Sequence, residues 1–76
     1  MKYYKVQRTT DGLFWEGNGH YLKPFTPEGK VWKQLAHVKS AIDLYNRAAT
    51  LAKNLIDCDI VEYEYNPVEV SRQKAV

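Results

Sequence analysis

No glycine or proline interrupts residues 33–55, and within that run Leu35, Val38, Ile42, Tyr45, Ala49 and Ala52 recur at spacings of 3, 4, 3, 4 and 3. This recurrence lines one face of an α-helix. It predicts a helix within about 34–54 whose apolar side must be covered by something else in the chain. Leu44, Leu51 and Leu55 widen the stripe, while Lys39, Asp43, Arg47 and Lys53 read as the outer face. Asp43 and Arg47 stand four apart, a pair that stabilises a helix by about 0.2–0.5 kcal/mol. Alanines at 41, 48, 49 and 52 allow a close approach to a sheet.

The partner for that stripe is legible on both sides of it. In KYYKVQR, Tyr4 and Val6 alternate with Tyr3, Lys5 and Gln7, the period of a half-buried strand. Thr9, Thr10, Asp11 and Gly12 follow, with the Asp-Gly pair that accepts positive φ in a tight turn. LFWEG then returns as the second strand of a hairpin over residues 2–16, Leu13 and Trp15 facing inward and Phe14 on the other side. Residues 17–29 read as a loop, broken by Gly17, Gly19, Pro24, Pro27 and Gly29. Thr26, Pro27, Glu28 and Gly29 fit a β-turn, after which Lys30, Val31 and Trp32 run as a short extended piece. CDIVEYEY, residues 58–65, reads as a strand with Val61, Tyr63 and Tyr65 on one face. Its acids change parity about Ile60, which predicts a bulge or a sheet edge there. Pro67 ends it, and VEVSRQKAV has too little apolar content to read as structure. The expected fold is α+β: a small antiparallel sheet packed on one helix, in the order β-β-(β)-α-β, as a single domain over residues 1–66 with a flexible tail over 67–76.

TTDGLF, GKVW, a helix opening with LAHVKSAI, and the closing CDIVEYEY together resemble a group of small tailed-bacteriophage proteins. The resemblance spans residues 5–65. Members of that group carry a serine- and glycine-rich loop after GLF, where this chain has the more aromatic WEGNGHYLKPF. The resemblance implies an origin in a phage genome and brings no reaction with it.

Length and composition narrow the function. A chain of 76 residues hides only about 60% of the surface its unfolded form exposes, and its single cysteine, Cys58, excludes an internal disulfide as a staple. An unpaired cysteine, no secretory leader pattern and no apolar stretch near the ~20 residues that span a bilayer predict a reducing, cytoplasmic setting with no membrane partner. The net charge of +2 is small, and the eleven Lys and Arg are scattered without a block of like sign.

Candidates for catalysis or metal binding are few. His20 sits alone on the loop, without the positioned partner a general base needs. His37 reads as a partly buried structural residue near the helix start. Cys58, beside Asp57 and Asp59, is expected to have a raised pKa and to serve as a small core residue. Asp57, Asp59, Glu62 and Glu64 alternate across two faces without a loop to wrap an ion, and read as an acidic guard on a sheet edge. Gly17, Asn18 and Gly19 lack the Gly-Lys-Ser/Thr ending of a phosphate cradle. The expectation is a protein without catalytic residues, cofactor or metal.

Binding is the better class. Aromatics make up 13% of the chain, more than one helix face can cover, and large rings are enriched at interfaces. The expected partner-binding residues are Trp15, Tyr21 and Phe25 as anchors, with Phe14, Tyr3, Lys23, Lys5 and Arg8 around them. Tyr21, Leu22 and Phe25 folding back as a lid on the core is the alternative for the loop. The function expected is that of a small phage-encoded protein-binding module, an inhibitor of a host or host-defence protein of the anti-CRISPR type being one form. Its partner is a host protein, a phage protein or a second copy of this chain. The rival class is single-stranded nucleic-acid binding, with Tyr3, Phe14 and Trp15 stacking bases and Lys5, Arg8, Lys23 and Lys30 following phosphates.

Overall fold

The computed structural model describes residues 1–17, 24–48, 55–65 and 68–76. Its elements are β1 (Lys2–Arg8), β2 (Phe14–Trp15), β3 (Phe25–Thr26), α1 (Leu35–Ala48), β4 (Cys58–Glu64) and β5 (Val68–Lys74). The five strands form one antiparallel sheet in the order β3-β2-β1-β4-β5, and α1 packs on one side of it. The α+β architecture therefore holds, with one more strand at the C-terminal end.

The β1–β2 hairpin closes where the Asp-Gly pair predicts. Gly12 takes φ 77°, its N–H donates to the Arg8 carbonyl at 2.8 Å, and Asp11 Oδ1 accepts from the Leu13 N–H at 3.1 Å. Arg8 clamps the same carboxylate at 2.6 Å, which holds Asp11 below its usual range, and the bond from Leu13 adds to the effect. The next strand comes earlier than the sequence suggests. β3 is Phe25–Thr26, inside the segment read as loop, and pairs with β2 as Trp15↔Phe25 and Phe14↔Thr26. Lys30, Val31 and Trp32 contribute a single bridge, Tyr4↔Trp32. The turn between them carries Gly29 at φ 67°, its N–H on Thr26 Oγ1 at 2.9 Å.

β4 is not an edge. It pairs with β1 over its full length, from Lys2↔Glu64 to Arg8↔Cys58, and with β5 on its other side. The bulge falls between Glu62 and Tyr63 rather than at Ile60. Residues 68–74, expected as tail, form β5, and the Ala75 N–H still reaches the Cys58 carbonyl at 3.0 Å. All seven β5 residues are exposed, so the strand is held by ladder hydrogen bonds and side-chain bridges rather than by an apolar pattern. The acidic strand is thus an interior strand, and two of its carboxylates are paired: Glu62 with Lys2 and Asp59 with Arg72, each at 3.1 Å.

The core lies between the sheet and α1. Val6, Trp15, Trp32, Val38, Ile42, Leu55, Cys58 and Ile60 are buried there, with Tyr4, Leu35 and Tyr45 packed against them. Four of the six stripe residues, Leu35, Val38, Ile42 and Tyr45, pack there; Ala49 and Ala52 lie outside the described residues. Leu44 does not widen the stripe. It stands two residues from Ile42, about 200° round the helix, and is 58% exposed. His37 is also exposed rather than partly buried.

Candidate functional site: the uncovered sheet face

Residues directly opposite one another in an antiparallel ladder share a face, so the register sorts the sheet's side chains. Val6↔Ile60 and Arg8↔Cys58 belong to the helix side. Tyr3↔Tyr63, Lys5↔Val61 and Gln7↔Asp59 belong to the other, joined by Phe14 and Thr26 from β2 and β3 and by Glu69, Arg72 and Lys74 from β5. The bridge of Trp32 to Tyr4 puts residues 31 and 33 on this second side as well, since neighbours alternate. No described helix covers it.

At the centre of this face lies Val61, 0% exposed. Its shield is built from polar side chains. Arg72 donates through Nε and Nη2 to Glu69, both at 3.0 Å, through Nη1 to Asp59 at 3.1 Å and through Nη2 to Gln7 Oε1 at 2.9 Å. One guanidinium thereby ties β5 to β4 and β1, and its planar fork is what allows the simultaneous bonds. The Glu69 carboxylate, and behind it Asp59, raise the Arg72 pKa; Arg72 in turn holds Glu69 below its usual range.

Beside Val61 the rings of Tyr3 and Tyr63 stack, centroids 5.1 Å apart and planes within 14°. Both are half-buried, and burial, with Glu69 adding to it, pushes the Tyr63 phenol up. Lys5 Nζ lies 4.7 Å from the Phe14 centroid and donates to the Glu28 carbonyl at 2.7 Å. Toward β3, Thr26 Oγ1 donates to the Glu16 carboxylate.

The expected binding residues are divided by this geometry. Tyr3, Phe14 and Lys5 are brought together on the uncovered face. Trp15, expected as an anchor, is 0% exposed, stacked on Trp32 at 5.5 Å and edge-on to Tyr45 at 5.1 Å; it is core, because its strand alternates inward with Val6. Phe25 packs against the core beneath Arg8, whose Cζ sits 4.0 Å from the ring. Arg8 and Phe25 are therefore on the helix side, away from Tyr3. Lys30 lies over the Trp32 ring at 5.5 Å rather than on this face. Tyr21 and Lys23, like His20 and the Gly17-Asn18-Gly19 cradle beyond Gly17, lie outside the described residues. Tyr63, Arg72 and Lys33 were absent from the expected set. The parity of Tyr63 was readable in CDIVEYEY, but its partner Tyr3 depends on a register across more than fifty residues of chain.

Among the described residues no cluster of His, Cys, Asp and Glu suits a metal ion, and no polar side chain is buried. The Cys58 thiol is buried and its pKa is pushed up to about 11, mainly by desolvation, which disfavours the thiolate a nucleophile needs. No described helix is long and apolar enough to cross a membrane. Comparison of the chain with protein-family models, curated proteins and solved structures finds no match in any of the three.

Proposed function

We propose that this chain is a non-enzymatic protein-binding module that docks its partner on the uncovered face of the sheet. The observation that carries the reading is the half-buried Tyr3–Tyr63 stack, on the same face as Phe14 and flanked by Lys5 and the Arg72 network. Tyrosine and arginine are the residues interfaces favour, and rings already held by packing bring contact area at little entropic cost. The charges support a protein rather than a single nucleic-acid strand. Lys5, Lys33, Arg72 and Lys74 share the face with Glu16, Asp59 and Glu69, and a nearly balanced surface does not follow a line of phosphates. Tyr3, Tyr63 and Phe14 take the anchoring role that Trp15 cannot. The resemblance to tailed-phage proteins supports a host or phage protein as the partner, with inhibition of a host-defence component as one form of the function.

The test is site-specific photo-crosslinking in the bacterial cell. A benzophenone side chain placed at Phe14 or Tyr63 is expected to yield one dominant protein adduct, and one placed at Leu44 on the outer face of α1 none. Equal yields from both sides, or nucleic-acid adducts from the sheet face, would remove the reading.

A further inference from the structure

One corner of the uncovered face differs from the rest. Met1, Lys2, Tyr3, Lys5, Val31 and Lys33 line a depression of about 370 Å³, and none of these six carries a carboxylate. Two of the three lysine ammonium groups lack an ion pair among the described residues. Lys2 is neutralised by Glu62 at 3.1 Å, but Lys5 donates only to a backbone carbonyl, which brings no countercharge. Lys33 is exposed, and no carboxylate among the described residues lies within ion-pair distance of it. Tyr63 occupies the side of the Tyr3 ring toward β4, leaving the side toward residues 31–33 to border the depression. The corner thus offers uncompensated positive charge next to a ring and the apolar side chains of Val31 and Met1.

We infer that this corner receives an acidic segment of the partner protein, a carboxylate meeting Lys5 and Lys33 while an adjacent apolar or aromatic side chain packs on Tyr3 and Val31. The inference rests on the docking reading above and gives the partner its chemistry. A peptide fits better than a nucleic-acid strand because of what surrounds the corner. A chain leaving it along the sheet meets Asp59 and Glu69 toward β5 and Glu16 toward β3. A strand carries a negative charge at every step, whereas a peptide carries charge only where its sequence places one.

The experiment is fluorescence anisotropy with a labelled peptide alternating glutamate and phenylalanine, the same peptide with lysine in place of glutamate, and labelled oligothymidylate. The acidic peptide is expected to bind the intact chain and to weaken about tenfold or more in Lys5→Ala/Lys33→Ala, with added salt reducing the affinity in the same direction. Lys33→Glu, at an exposed position, is expected to weaken it as well and serves as the test should Lys5→Ala disturb Phe14. Equal binding of the basic peptide, no binding of the acidic one, or affinity unchanged by the lysine variants would overturn the inference. So would tighter binding of oligothymidylate that the same variants abolish. Tyr63→Ala, measured against the cross-linked partner, separates the two levels. If it abolishes partner binding while the acidic peptide fails, the docking reading stands and the acidic segment falls; if it leaves partner binding unchanged, the docking reading falls.

Discussion

Replacing Gly29 with alanine tests how closely residues 24–29 are pressed onto the hairpin. Gly29 sits at φ 67°, and an added Cβ would lie 2.3 Å from Phe14 Cβ and 3.1 Å from both the Phe14 carbonyl carbon and the Trp15 oxygen. The left-handed backbone alone costs an L-residue about 1–2 kcal/mol. The overlap adds to this, because Phe14 is fixed by pairing to Gln7 and Thr26 and cannot swing away cheaply; overpacking of this kind costs about 1–3 kcal/mol. Together these give a loss of about 2–5 kcal/mol, against roughly 4–11 kcal/mol for a whole domain of 76 residues. Gly12→Ala is the internal control. Its φ is 77° but the nearest atom to an added Cβ is Gln7 Nε2 at 3.7 Å, so it should lose the backbone part alone, about 1–2 kcal/mol. Urea titrations followed by circular dichroism measure both, and Gly29→Ala should lower the midpoint by clearly more than Gly12→Ala, at an unchanged slope. Equal losses in the two variants would refute the close approach of Gly29 to Phe14.

Three further outcomes follow from the packing and the charges. Trp15→Ala should cost about 3–5 kcal/mol, read as a large fall in the urea midpoint; a midpoint near that of wild type would return Trp15 to the surface. Cys58 should resist a thiol reagent such as DTNB in the native state and react on unfolding. Because its folded pKa is raised to about 11 from 9.0, its contribution to stability is complete below pH 9 and is lost as pH rises toward 11; that alkaline loss should shrink in Cys58→Ala. Glu62 has the opposite sign. Its hydrogen bonds from Lys2 and Ser71 hold its pKa below the usual 4.5, so its contribution is present above that value and disappears as pH falls through the lowered one. Acid titrations of wild type and Glu62→Gln should therefore converge at low pH and separate toward neutrality.

The elements readable from sequence are those whose signal is local. The α1 stripe of Leu35, Val38, Ile42 and Tyr45 needs only its own period, and the Asp11-Gly12 turn only two residues. β5 was illegible because an edge strand exposed along its whole length has no apolar alternation to show; Arg72 reaching Glu69, Asp59 and Gln7 holds it instead. The alternation of LFWEG turns Trp15 inward, as found, but the completeness of its burial, which rules out the anchoring role, is set by Trp32 and Tyr45, which approach from distant parts of the chain. The candidate face was half legible for the same reason: Tyr3, Phe14 and Lys5 show their parity locally, while Tyr63, Lys33 and Arg72 join them only through strand register.

The proposed docking face is tested most directly by calorimetric titration of the cross-linked partner against paired variants. Tyr3→Ser/Tyr63→Ser removes the stacked rings from the sheet face, and Leu44→Ser/Arg47→Ser alters a more exposed part of α1. Loss of anchors at an interface costs about 2 kcal/mol or more, at least a thirtyfold fall in affinity. The first pair should show that loss while remaining folded, and the second should bind as wild type does. Full affinity in the tyrosine pair, or loss confined to the helix pair, would contradict the assignment of the uncovered sheet face as the recognition surface.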